Sequence, residues 1–369
     1  MKSDHLPRNA LCISAGGTGG HITPGIAVAE EWLRQDGWVI FVTLEKNRDY
    51  PDISNLSKHQ RFRVVTVDAP KVPKSLRNAV AFIPALIRGQ RQLAAIFKDE
   101  WPMAILGMGG YSTFPAVLYA IRRKIPLYLC EQNARWGLIT RLFRRFAQKI
   151  FLSFAPLNAI RKNELVTGNP LRGLFRDFKM PLQNKRTLTK KNRLFFIGGS
   201  QGAHDLNLLF TALLRKDAAK NFQCLVSTGA KEFRELASQA RVKHDTICEF
   251  ITDMPRALIE SDFIVSRCGS GTLFEILWSK KPAFLIPYPF AAADHQKANA
   301  EQIQSMGVPH QFSVYDERPF HAERAAQALL DFIAQHPSHK IFPEPIVRSK
   351  SSKQTFAQVE IVRYIKKNA

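Results

Sequence analysis

The stretch ALCISAGGTGGHITPGIAVAEEWLR, Ala10 to Arg34, decides the fold. Residues 10–15 are an apolar run that reads as a buried strand. GGTGGH, 16–21, is a glycine turn, and 25–34 places apolar residues at helical spacing. The same order returns near mid-chain, where the apolar run 193–197 leads into GGSQGAHDLN at 198–207. A strand, a glycine turn and a helix open a parallel α/β layer, and two such openings predict two doubly wound, Rossmann-like domains facing a cleft. Further strands follow at 38–43, 62–67, 104–106, 127–130 and 149–154, and then at 224–227, 246–249, 263–266 and 282–286. Helices are expected at 114–122 and 137–146. Residues 167–191, rich in Pro, Gly, Lys and Asn, read as linker and loop.

A length of 369 residues suits two domains, and 45% hydrophobic with 23% charged residues is a globular composition. The net charge of +22 favours anionic partners without identifying them. Its basic residues are dispersed and lack the interleaved aromatics of a nucleic-acid-binding face, so no nucleic-acid partner is expected. The five cysteines form no C-x-x-C pair and read as small hydrophobes in reduced cores, which points to the cytosol. No signal peptide is apparent, and no uninterrupted apolar run reaches the ~18 residues of a membrane span.

In such sheets ligands bind beyond the carboxyl ends of the strands, where the motifs fall. GGTGGH lacks the third glycine of a dinucleotide loop, because Ile22 stands there. His21 sits at the helix tip, and histidine is suited to proton transfer. GMGGYSTFP, 107–115, repeats the strand-to-helix turn. EQN, 131–133, puts a carboxylate and two amides at a strand end. TGNPLR, 167–172, offers the Arg172 fork to a diphosphate. FITDMP, 250–255, leads into a helix. SRCGSGTLFEI, 266–276, places Glu275 in the first turns of a helix that starts at a glycine loop, where a carboxylate can accept ribose hydroxyls. PYPFAAADHQKANA, 287–300, carries Asp294, His295 and Gln296 after a strand.

In this order, from about Ala10 to Gly307, the motifs closely resemble the MurG family. Its members are UDP-N-acetylglucosamine:N-acetylmuramyl-(pentapeptide) pyrophosphoryl-undecaprenol N-acetylglucosaminyltransferases. The resemblance implies a GT-B fold and an inverting transfer of N-acetylglucosamine from UDP-N-acetylglucosamine to lipid I, giving lipid II. A related transferase acting on another lipid, such as diacylglycerol, is the alternative; the EQN and DHQ signatures argue against it. The resemblance assigns His21 as candidate base. It places the donor on Thr18, Gly19, Gly20, Asn133, Arg172, Ser200, Ile251, Ser270, Gly271, Thr272, Leu273, Phe274, Glu275 and Gln296. Gly109, Gly110, Tyr111 and Glu131 are acceptor-side candidates. Residues 1–168 would form the acceptor and membrane-facing domain, rejoined by a helix within 352–369, and 169–351 the UDP-sugar domain. The segment 45–60 and Phe274 depart from the family pattern.

No D-x-D motif occurs, so no metal site or cofactor is expected. A lipid-linked acceptor requires peripheral attachment to the cytoplasmic face of an anionic membrane. The apolar run 79–87, bracketed by basic residues on both sides, is the expected anchor, with Phe82, Ile83, Leu86, Arg88 and Arg91 in contact.

Overall fold

A computed structural model describes residues 9–69, 76–98, 101–179, 191–199, 202–229, 233, 236, 245–306, 311–336 and 355–369. Seven strands build the first sheet: β1 Ala10–Ser14, β2 Trp38–Thr43, β3 Phe62–Thr66, β4 Ala104–Gly107, β5 Leu127–Glu131, β6 Lys149–Leu152 and β7 Glu164–Val166. Six build the second: β8 Asn192–Ile197, β9 Phe222–Ser227, β10 Thr246–Cys248, β11 Phe263–Ser266, β12 Ala283–Leu285 and β13 Phe312–Val314. The orders are β3-β2-β1-β4-β5-β6-β7 and β10-β9-β8-β11-β12-β13. Every pairing is parallel. Counted from its own first strand, each sheet runs 3-2-1-4-5-6, the doubly wound order, and the first sheet adds a strand at its edge. The order reverses between β1 and β4, and between β8 and β11. Ligand crevices form at such switch points.

The chain divides into two compact units, Met1–Arg176 with Ser349–Ala369, and Asp177–Arg348. The division falls after Arg176, inside the segment 167–191 read as linker and eight residues beyond the expected 168/169 boundary. Polar contacts explain why 169–176 stays with the first unit. The Gly173 N–H donates to Glu30, Arg176 pairs with Glu31, and Gln358 exchanges two hydrogen bonds with the Leu171 backbone, at 3.2 and 2.7 Å. Gln358 opens the helix Ala357–Asn368, whose Ile361, Val362 and Ile365 are fully buried against Ile22, Ile26 and Trp32 of the helix Gly19–Arg34. Each such side chain contributes about 1.5–3 kcal/mol relative to exposure. Tyr364 meets Tyr128 and Phe151 edge-on at 6.3 and 5.7 Å.

The sheet of the first unit is covered on both faces, by one apolar cluster around Ile13, Phe41 and Leu106 and another around Cys12, Val42 and Ile105. The cysteines are free, and all but the half-buried Cys248 are buried. Burial, aided by the neighbouring Glu131 charge, pushes the Cys130 thiol up to about 12, which suits a core residue rather than a nucleophile.

Two expectations need correction. The first helix starts at Gly19, not at residue 25, so Pro24 lies inside it and His21 is in its first turn. The helix expected at 137–146 is only Leu138–Phe143. Strands β7 and β13 were not anticipated.

Candidate active site

Three loops of the first unit converge on His21. Thr18 caps the helix Gly19–Arg34 with extended backbone, and its carbonyl accepts from the His21 N–H at 3.1 Å. Across from it, the turn after β4 carries Gly109 and Gly110, with φ of +86° and +73°, a region that favours glycine. A Cβ on Gly109 would lie 3.2 Å from His21 Cε1, and one on Gly110 would lie 3.0 Å from Cδ2. The imidazole therefore rests directly on glycine backbone. The third loop is EQN after β5. Gln132 is 1% exposed, and its Oε1 lies 3.0 Å from His21 Nδ1.

Glu131 does something other than face a ligand. It is 3% exposed. Its Oε1 accepts from the Asn133 N–H at 3.2 Å, and its Oε2 from the Gly137 N–H at 2.8 Å and the Thr140 hydroxyl at 2.6 Å. The carboxylate thereby caps the helix Leu138–Phe143 and fixes the turn that carries Gln132 and Asn133. The segment 45–60 supports the same loops. Asn47 Oδ1 accepts from the Gly17 N–H at 3.0 Å, and the Lys46 ammonium lies 5.9 Å from the Tyr111 ring centroid.

In the second unit, the turn after β8 requires glycine. A Cβ on Gly202 would lie 2.0 Å from the Thr228 carbonyl oxygen. Beside it, β11 leads through Gly269 into the helix Ser270–Ser279. A Cβ on Gly269 or Gly271 would meet open space, so the N–H groups of this first turn have room for an anion. Ser270 and Glu275 are nearly buried, at 5% and 7% exposed. Leu273 and Phe274 turn into the core. Gln296 ties two strand ends together, its Oε1 accepting from the Cys268 and Tyr288 N–H groups, each at 3.0 Å. Both donors are N–H groups, so the amide cannot be turned around, and its NH₂ remains available as a donor. Ala293 and Asp294, just before the helix His295–Met306 that carries Gln296, have φ of 52° and 53°. Such backbone conformations recur beside functional sites.

Residues 11–152 match the Glycosyltransferase family 28 N-terminal domain, and 193–359 match the Glycosyltransferase family 28 C-terminal domain. The UDP-N-acetylglucosamine--N-acetylmuramyl-(pentapeptide) pyrophosphoryl-undecaprenol N-acetylglucosamine transferase of Geotalea uraniireducens is 34% identical over 341 residues, 89% of this chain and 90% of that one. The enzyme of the same description from Leptospira interrogans is 33% identical over 331 residues, 85% and 88% of the two chains. The chain belongs to the MurG family. The crystal structure of Acinetobacter baumannii MurG superposes with a TM-score of 0.69 over 98% of this chain and 100% of that one, at 23% identity, which supports the GT-B fold.

The MurG-type motifs fall at the carboxyl ends of strands, and those after β1, β4, β8 and β11 flank the two switch points. Thr18 precedes and Gly19, Gly20 and His21 open the helix after β1, Gly109, Gly110 and Tyr111 follow β4, and Glu131 ends β5 with Asn133 just beyond it. Ser270 to Glu275 and Gln296 follow β11 and β12, and Ile251 is half-buried after β10. Asp253 caps the helix Met254–Glu260 by accepting from the Arg256 N–H at 3.2 Å, so FITDMP does lead into a helix. Ser200 lies outside the described residues. Arg172 is 8% exposed and pairs with Asp52 at 3.5 Å inside the first unit. Sequence reasoning did not single out Gln132, Asn47 or Lys46. Only the place of Gln132 within EQN marked it.

Proposed function

We propose that this chain transfers N-acetylglucosamine from UDP-N-acetylglucosamine to a hydroxyl of lipid I, giving lipid II and UDP. The observation that carries this reading is full-length kinship with transferases of that description, at 34% identity over 89% of the chain. The first unit would hold the acceptor and the second the UDP-sugar. His21 Nε2 takes the proton of the attacking hydroxyl as its oxygen bonds to the anomeric carbon. The bond from that carbon to the UDP oxygen breaks on the opposite face, so configuration inverts. The N–H groups at Ser270 to Thr272 receive diphosphate charge, while Glu275 accepts the ribose hydroxyls and the backbone of Ile251 meets uracil. Gln296 donates its NH₂ to a sugar hydroxyl. Arg172, which pairs with Asp52, is a candidate ligand for the diphosphate, and Glu131 acts through the EQN turn. Purified protein given lipid I and labelled UDP-N-acetylglucosamine should form labelled lipid II; no transfer would reject the reading.

Attachment to the cytoplasmic face of the membrane is part of this proposal. Among the described residues no helix is long and apolar enough to cross a membrane. In the helix Leu76–Phe97, Ile83 and Ile87 are 61% and 46% exposed, one turn apart. Phe82 instead packs edge-on against Phe114 at 5.4 Å, and Leu86 is half-buried. Of the apolar residues expected in contact, Ile83 faces outward, joined by Ile87, while Phe82 and Leu86 are half-buried. Arg88 and Arg91 are exposed beside it, Arg88 bonding Asp68 at 3.0 Å. Each basic residue near an anionic leaflet contributes about 1 kcal/mol, screened by salt. Co-sedimentation with anionic vesicles should fall as salt rises and fall further in the Ile83→Ser, Ile87→Ser double variant, with UDP binding retained. Equal sedimentation with neutral vesicles, insensitive to salt and to the substitutions, would reject this surface.

A further inference from the structure

We propose that Gln132 is a positioning residue that holds His21 as the Nδ1–H tautomer and leaves Nε2 as the proton acceptor. The inference deepens the proposed role of His21 and rests on it for its catalytic meaning. Gln132 Nε2 lies 3.2 Å from the Cys130 carbonyl oxygen, and its Oε1 lies 3.0 Å from His21 Nδ1. A carbonyl oxygen only accepts, so the amide NH₂ must be the end that faces Cys130. Oε1 is then the end that faces the imidazole, and it too only accepts. The hydrogen between Oε1 and Nδ1 therefore belongs to the ring. In a neutral imidazole with hydrogen on Nδ1, the lone pair lies on Nε2.

Burial and sterics make this arrangement rigid. Gln132 is 1% exposed, so losing either bond would leave a buried polar group unpaired. Gly109 and Gly110 lie against the ring; their Cβ positions would come within 3.3 Å of Nδ1 and of Nε2. Glu131 holds the turn through its own three donors, so the amide is positioned from behind as well. A base must present a lone pair before the acceptor arrives, and an unconstrained imidazole favours the opposite tautomer. Gln132 removes that disadvantage without placing a charge beside the ring.

The test reads the tautomer directly, by long-range proton–nitrogen correlation spectra of the full chain with ¹⁵N-labelled histidine, His21 being assigned from His21→Ala. Wild type should show Nδ1 protonated and Nε2 unprotonated at a pH where the ring is neutral. Gln132→Leu, and independently the isosteric Gln132→Met, should move His21 toward the Nε2–H form. They should lower kcat with lipid I by about ten- to a thousandfold, short of the ~10⁴-fold loss when a catalytic triad is forced into the wrong tautomer. KM for UDP-N-acetylglucosamine should stay near wild type. Gln132→Glu, which keeps an acceptor for Nδ1–H and can donate a hydroxyl to Cys130, should recover activity relative to Gln132→Leu. An Nε2–H tautomer in wild type overturns the proposal, as does full kcat in the folded Leu or Met variant. Failure of the base assignment is read separately, from the kcat of His21→Ala.

Discussion

Replacing His21 by alanine is expected to lower kcat by about 10²–10⁴-fold, the usual contribution of a positioned general base. The acceptor hydroxyl is a poor nucleophile until its proton begins to leave. His21 lies in the first turn of the helix Gly19–Arg34, with its ring held by Gln132 and two glycines. Dissociation of UDP should stay near wild type, because no nucleotide contact is assigned to the His21 side chain. A loss confined to kcat, with donor affinity unchanged, is the signature of an interaction made in the transition state. Steady-state kinetics on lipid I measures both; a His21→Ala variant with nearly full kcat would reduce His21 to orienting the acceptor.

Glu275→Ala should produce the second large effect, this time on binding. Hydrogen bonds from ribose hydroxyls to a carboxylate contribute about 1.5–3 kcal/mol, and Glu275 is nearly buried, at 7% exposed. At about 1.4 kcal/mol per decade, Kd for UDP should rise roughly tenfold to somewhat over a hundredfold. Calorimetric titration would show it. An unchanged Kd in a folded variant would remove Glu275 from the nucleotide site. The two substitutions should thus separate, one acting on turnover and the other on affinity.

Much of this was legible in the sequence. Each sheet opens with an apolar strand, a glycine turn and a helix, and that unit sets both the parallel pairing and the switch point where the motifs gather. The edge strands were not legible. β7 is only Glu-Leu-Val and β13 only Phe-Ser-Val, too short for an apolar run to stand out. The start of the first helix was hidden by Pro24, whose missing N–H reads as a boundary. At the site, His21 could be found from its place after a glycine turn. Its partner could not, because Gln132 lies 111 residues away and meets it only once β1 and β5 are laid in one sheet. Glu131 shows the opposite case. A carboxylate at a strand end suggests a ligand, yet here the Gly137 N–H and the Thr140 hydroxyl draw it back into the fold. Arg172 was read as a free fork, and the fold gives it Asp52 from the divergent segment 120 residues earlier. Long-range polar partners of this kind leave no local pattern.

Acceptor choice tests the central claim most directly. Purified protein is incubated with labelled UDP-N-acetylglucosamine and, in parallel, with lipid I, with diacylglycerol in vesicles, and with no acceptor. Label is expected in a lipid-linked disaccharide in the lipid I reaction alone, with release of UDP. Transfer to diacylglycerol, or no transfer to lipid I by protein that still binds UDP, would contradict it.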